Sequence, residues 1–471
     1  MRTLCVLVCV AVAAHAAKPK TIEITTSSEE ARALYVKARD LFEKLRATDA
    51  HAAFEQAVAK DKDFALAYLG LANTSATNQE FFSALDKAVA LADKASPGEQ
   101  WQIRAAEAGA KADPVHQKEY LDKLAKSFPR DERVHNLLGA YYFGRLDYAN
   151  AIASYEKAIA INPKFTTPYN QLGYAYRFTD KLAKAEKTFK KYIELLPDDP
   201  NPYDSYGELL MQEGKFAESI QSYEKALKID PNFVASYVGI GNDYIFQGKG
   251  DEARKTFARL TKVARNDGER RQALLWTAMS YAHENAWDKA LAELDKMAAI
   301  AAKDLNNLAG DYVGMGNMLV EAGRADEGLA KFKAAVEVSA KSSAPPEVKD
   351  FARRNLVFQE GWVAVVKGDV ATAKEKAAAY EKIIAKTRPF EVRQLHELNG
   401  RIALAEKKWK IAIAELAQTN LRDPRMLYMT ALAQQGAGDA KGAKKTARKA
   451  ADFNGLALNY AFVRGKAKAM L

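Results

Sequence analysis

The chain has 471 residues, a formal net charge of +10, and a composition that is 48% hydrophobic and 28% charged. That balance excludes a disordered chain, and the length exceeds what one ordinary core organises. Both cysteines, Cys5 and Cys9, fall among the first 17 residues. A chain cleaved after Ala16 therefore has no disulfide, thiolate metal site or cysteine nucleophile.

Residues 1–16 read as a signal peptide. Arg2 supplies the positive start, Leu4 to Ala13 an apolar run, and Ala14-His15-Ala16 a small-x-small cleavage site before Ala17. The run is shorter than the roughly 20 residues a spanning helix needs, and no later segment is apolar enough to cross a bilayer. The protein is thus expected to be exported, either periplasmic or secreted. Residues 17–28 read as a tether, with Ser28 as N-cap ahead of Glu29 and Glu30.

Residues 29–131 show weak helical repeats. Ala38, Ala50, Phe54 and Ala57 mark one, Tyr68, Leu71 and Ala72 open a second, and Trp101, Ala105, Leu121, Leu124 and Pro129 mark a third. The pattern sharpens over 132–267. Gly139, Gly173, Gly207 and Gly241 recur every 34 residues, each followed by Ala151, Ala185, Ser219 or Ala253, then by Tyr155, Phe189, Tyr223 or Phe257. His135, Leu138, Gly139 and Tyr142 share one helical face. The turn is expected around Gly144–Arg145, and Pro163, Pro197 and Pro231 stop second helices. Small residues at Gly139 and Ala151 let two antiparallel helices approach, and Tyr155 fills the remaining space.

Further units follow over 268–341, marked by Leu274, Ala278, Tyr281 and Ala290, then by Tyr312, Gly316, Gly328 and Phe332. Residues 342–346 carry two prolines and read as a loop that bends the stack. Weak units resume over 347–454, and residues 455–471 read as a helix capping the end.

Period and residue types together resemble the tetratricopeptide repeat: His135, Leu138-Gly139, Tyr142, Ala151, Tyr155, Ala158 and Pro163 stand at its signature offsets. The next unit matches through Tyr169, Leu172-Gly173, Tyr176, Ala185, Phe189 and Pro197, with Tyr192 where alanine is usual. The resemblance implies an all-α fold, a right-handed superhelical solenoid of about twelve antiparallel helix pairs. It also implies a non-catalytic scaffold that binds protein or peptide on its concave face. Positions offset from the packing face would form that groove: Asn136, Ala140 and Phe143, then Asn170, Tyr174 and Arg177, then Asp204, Glu208 and Met211, then Asn242 and Ile245. Side-chain amides there suit a peptide backbone, and aromatics suit its side chains. One branch of the family clamps a C-terminal carboxylate. Ala140 replaces a required asparagine and the clamp's lysines are missing, which argues against that ligand.

No phosphate-cradling loop, zinc-protease motif or nucleophile elbow occurs, so no enzyme activity, cofactor or metal is expected. A catalytic site within 342–388 would need an acid–base pair that the sequence does not announce. Charge concentrates at the end. Lys441, Lys444, Lys445, Arg448, Lys449, Arg464, Lys466 and Lys468 stand against Asp452, a net of +7. The alternative function is therefore envelope association, through contact of this basic end with an anionic surface or acidic partner. Nucleic acid is not expected, since no recognition motif appears.

Overall fold

A computed structural model describes residues 21–471 apart from 45, 76 and 112, and these form an all-α repeat fold. The segment read as a signal peptide lies outside the described residues. Six helix pairs come first: α1 (Glu29–Glu43) with α2 (Ala47–Lys60), α3 (Ala65–Thr74) with α4 (Asn78–Leu91), α5 (Pro97–Ala110) with α6 (Pro114–Ser127), α7 (Glu132–Gly144) with α8 (Tyr148–Ile161), α9 (Thr167–Phe178) with α10 (Leu182–Leu195), and α11 (Pro200–Gln212) with α12 (Phe216–Ile229). Six more follow: α13 (Val234–Phe246) with α14 (Gly250–Val263), α15 (Asp267–His283) with α16 (Trp287–Ile300), α17 (Leu305–Glu321) with α18 (Ala325–Lys341), α19 (Pro346–Val366) with α20 (Val370–Ile383), α21 (Pro389–Ala405) with α22 (Trp409–Leu416), and α23 (Pro424–Gly436) with α24 (Ala440–Ala451). A single helix, α25 (Tyr460–Lys468), comes after them.

The four clear units show why this sequence makes hairpins. Asp131 caps α7 by accepting from the Arg133 amide, Asp147 caps α8 through Asn150, and Asp199 caps α11 through Asn201. Between the helices of each pair one residue adopts the left-handed conformation: Leu146 (φ 64°), Asp180 (φ 57°), Gly214 (φ 73°) and Gly248 (φ 76°). The turn therefore pivots on Leu146, not on Gly144, which still belongs to α7. Two of the four positions are glycine because only glycine enters this region without a Cβ penalty of roughly 1–2 kcal/mol.

Packing follows the sequence phase. Tyr155, Phe189, Tyr223 and Phe257 are wholly buried, their rings pressed against Gly139, Gly173, Gly207 and Gly241 of the preceding helix. Burying each such ring stabilises by roughly 1.5–3 kcal/mol. Odd-numbered helices also touch one another along α7, α9, α11, α13 and α15 and along α19, α21 and α23, while no even-numbered pair does so to a comparable degree. The odd helices are therefore the inner, concave row. That row is interrupted around α17, where residues 342–345 form the loop ahead of α19.

The last helix departs from expectation. It is shorter than 455–471, and it does more than cover the end of the stack. It packs on α23 and α24 and also on α15, far back in the chain. Tyr460, Ala461, Phe462, Val463 and Arg464 are all buried there.

Candidate functional site

The odd helices place the expected groove residues along the inner row, and Asn170, Tyr174, Arg177, Asp204 and Glu208 are hydrogen-bonded to side chains within that row. Asn170 donates to Asn201 Oδ1 (3.0 Å) and accepts from the Ser205 hydroxyl (3.2 Å). The Tyr174 hydroxyl donates to Glu208 (3.0 Å), and Arg177 donates to Glu208 (2.6 Å) and Gln212 (2.7 Å). Asp204 is buried and accepts from Ser236 (2.8 Å). Burial, with the charge of Glu208 adding to it, pushes its carboxyl up to about 8. Such a ladder is satisfied internally, and each rung left without its partner would cost about 1–3 kcal/mol. Phe143 packs edge-on to Tyr148 and against Phe178. Asn136 keeps a buried amide oxygen without a partner.

The chain's own C-terminal segment covers part of this face. The Tyr460 hydroxyl donates to Asn242 Oδ1 at 2.6 Å, and both side chains are fully buried. The Tyr460 ring meets Phe246 edge-on at 4.8 Å, and the Arg464 guanidinium lies 4.7 Å from the Phe246 ring centroid. Phe462 stacks on Trp287. Nearer the first clear unit, Arg422 sits on the Phe178 ring, 2.9 Å from its centroid, and donates to the Tyr148 hydroxyl. Asn242 is thus unavailable to an outside ligand, because the last helix already fills its pocket.

The basic end divides in the same way. Lys441, Lys444, Lys445, Arg448 and Lys449 are exposed on α24, whose buried side is Ala443, Ala447, Ala450 and Ala451. Arg464 does not belong with them. It is only 5% exposed, donates to Phe453 O and Asn454, and burial lowers its pKa. Lys466 is exposed and lies 3.5 Å from Glu321, and Lys468 is exposed.

Further along the inner row the C-terminal segment borders, but does not fill, a cavity. This cavity, of about 470 Å³, is lined by Asn317 of α17, Asn355, Phe358, Gln359 and Trp362 of α19, and Gln394 of α21. Gln394 donates to Asn355 (2.9 Å) and accepts from Tyr380 (2.8 Å). Amide side chains interleaved with aromatic rings are suited to hold polypeptide. Nothing in the sequence repeats at the 34-residue period here, which is why these residues escaped notice. The one available signal was local: Asn355, Gln359 and Trp362 recur at helical spacing on one face of a single long helix. Just past the 342–388 region, the buried carboxylate of Glu391 is held by Arg354 at 2.8 and 3.1 Å as an ion pair. Among the described residues no cluster of histidine, cysteine and carboxylate side chains has metal-binding geometry, and no helix is long and apolar enough to cross a membrane.

Paired helices, an inner row of first helices and ring-on-glycine packing define an α-helical repeat scaffold, a class whose extended concave surface is its binding surface. Family models of the tetratricopeptide repeat match residues 35–99, 132–165, 167–199 and 210–276. The chain is a tetratricopeptide-repeat protein. Among solved structures it is similar to a tetratricopeptide repeat protein from Parabacteroides merdae ATCC 43184, at 15% identity over 57% of this chain and 98% of that one, with a TM-score of 0.37. It is also similar to MamA, at 23% identity over 37% and 94% with a TM-score of 0.32. YrrB, described as a TPR protein with an unusual peptide-binding site, shares 20% identity over 40% and 95%, with a TM-score of 0.28. No curated protein matches the chain.

Proposed function

We propose that the protein is a non-catalytic adaptor that binds a protein or peptide along its concave face. The binding would use the cavity beside the inner helices α17, α19 and α21, which Asn420, Asp423, Arg425 and Asn459 of the C-terminal segment border without filling. The observation that carries this reading is the cavity whose lining joins Asn317, Asn355 and Gln394 with Phe358, Gln359 and Trp362, the last three buried at its floor. The partly exposed amides would hydrogen-bond an extended backbone over that apolar floor, the chemistry first expected of the 132–267 groove. The reading includes export, with residues 1–16 removed before the protein acts.

A second reading, contact with an anionic envelope component or acidic partner, is favoured by the exposed row on α24. None of Lys441, Lys444, Lys445, Arg448 and Lys449 has an ion-pair partner among the described residues.

One experiment separates the two. Protein purified from its host, with its intact mass read for a start at Ala17, is used to capture partners alongside two variants that remain folded. Loss of a partner on Asn355→Ala/Gln359→Ala supports the concave-face adaptor. Loss only on Lys444→Ala/Lys445→Ala/Lys449→Ala supports the second reading, and a partner kept by both variants contradicts both.

A further inference from the structure

A second cavity, of about 440 Å³, lies where the two halves of the chain face each other. One wall is Phe82 of α4, Lys111, Pro114, Gly144 at the end of α7 and Arg145; the other is Val348 and Phe351 of α19 with residues 387–391 and Arg393. No helix of the first wall packs extensively on a helix of the second, so apolar side chains remain uncovered between them. Phe390 is 55% exposed although its ring lies 6.1 Å from that of Phe351. A volume in the range of about 300–1,000 Å³ with a mainly apolar lining and a few convergent charges is that of a small-molecule site.

Those charges are unbalanced. Lys111, Arg145, Arg354, Arg388 and Arg393 line the cavity, against Glu347 and Glu391. Glu391 is already saturated, by Arg354 at 2.8 Å and by Arg388 at 3.7 Å. Lys111 pairs with Glu107, and Arg145 donates to Gln117 and the Tyr141 carbonyl. Arg393 alone among the five has no hydrogen bond or ion pair to another described residue. It is half-buried, and burial lowers its pKa. Its guanidinium has no partner among the described residues, its nitrogens are not among the buried ones, and it lies on the cavity wall, where its planar fork matches a carboxylate.

We propose that this cavity binds a small amphiphilic carboxylate, its hydrocarbon part against Phe82, Val348, Phe351 and Phe390 and its carboxylate on Arg393. A neutral analogue of the same chain length would satisfy the rings and leave Arg393 unpaired. This cavity shares Phe351, Phe390 and Arg393 with the one beside α17, α19 and α21, but the inference does not rest on the adaptor reading: Arg393→Gln tests it, whereas Asn355→Ala/Gln359→Ala tests the adaptor reading at residues that do not line this cavity.

The test is calorimetric titration of the full chain with octanoate and 1-octanol as probes. Octanoate binds saturably, and 1-octanol at least about tenfold more weakly, the range expected for one charge-assisted bond. Arg393→Gln brings octanoate down to the level of 1-octanol and leaves 1-octanol unchanged, which a misfolded variant would not do. Phe390→Ser, which removes an exposed ring, weakens both probes. Failure of octanoate to bind, equal binding of the two probes, or unchanged octanoate binding in Arg393→Gln would overturn the proposal.

Discussion

The bond between Tyr460 and Asn242 joins helices 218 residues apart, and it makes a sharp test of how the molecule is held together. In a simple solenoid each repeat couples only to its neighbours, so changes in α13 and α25 would be independent. Here the two side chains are fully buried and 2.6 Å apart. Tyr460→Phe keeps the ring against Phe246 but leaves Asn242 Oδ1 with no donor, at a cost of about 1–3 kcal/mol. Asn242→Ala strands the phenol in the same way, at a similar cost. The double variant removes both orphaned atoms, so its loss of stability falls short of the sum by about 1–2 kcal/mol. Urea unfolding of the four proteins of the cycle measures this coupling, and hydrogen exchange of α25 amides in Asn242→Ala locates it. Additivity within about 0.5 kcal/mol, with unchanged α25 exchange, would refute the tie.

Two further outcomes follow from packing and burial. A Cβ on Gly173 would run into the Phe189 ring, so Gly173→Ala destabilises by about 1–3 kcal/mol, whereas Gly144→Ala, with nothing nearby, is neutral or gains up to about 1 kcal/mol; thermal melts of the pair decide. Asp243 is fully buried, and the nearby Ser219 hydroxyl donates to Gly207 O, leaving neither carboxylate oxygen well bonded; burial, only partly opposed by Ser219, pushes its pKa from 3.8 up to about 8. The folded chain therefore holds a proton that the unfolded chain releases, and the stability this group contributes at low pH is lost as pH rises from about 4 through about 8. Asp243→Asn should match the parent near pH 4 and exceed it increasingly up to pH 8, as read by urea midpoints; a constant difference across that range would sink the assignment.

The fold was legible because its physics is local and repeated. Gly139, Ala151 and Tyr155 each report one contact made again in the next unit, so four copies sufficed to define hairpin, partner and phase. The turn expected around Gly144–Arg145 overlaps the observed one at Arg145, but its pivot is hidden, because Leu146, a poor left-handed residue, takes the position that Gly214 and Gly248 announce at the same phase. Arg464 was grouped with α24's lysines because charge was counted along the sequence, where nothing reveals that Phe246 would cover it. Phe351, Phe390 and Arg393 were invisible for a deeper reason. Their cavity is made by two walls more than 200 residues apart, and no period of 34 encodes that meeting.

The same distinction explains why binding chemistry is proposed in a different place from the clearest repeats. Regular units such as α9 to α14 present their concave side chains in register, which lets neighbouring rungs satisfy one another, as Tyr174, Arg177 and Glu208 do. A segment of the same chain can also settle on such a surface at high effective concentration, and α25 has done so over Asn242. Displacing it would expose Tyr460, Phe462 and Val463 together, each worth roughly 1.5–3 kcal/mol of burial. An outside ligand competing there would have to recover all of that before binding at all. In the irregular units the C-terminal segment borders the cavity without filling it. Where the inner row is interrupted around α17, the partly exposed amides of Asn317, Asn355 and Gln394, the exposed Phe390 ring and one unpaired guanidinium line open space, so it is the imperfect part of the repeat that retains free energy for a partner.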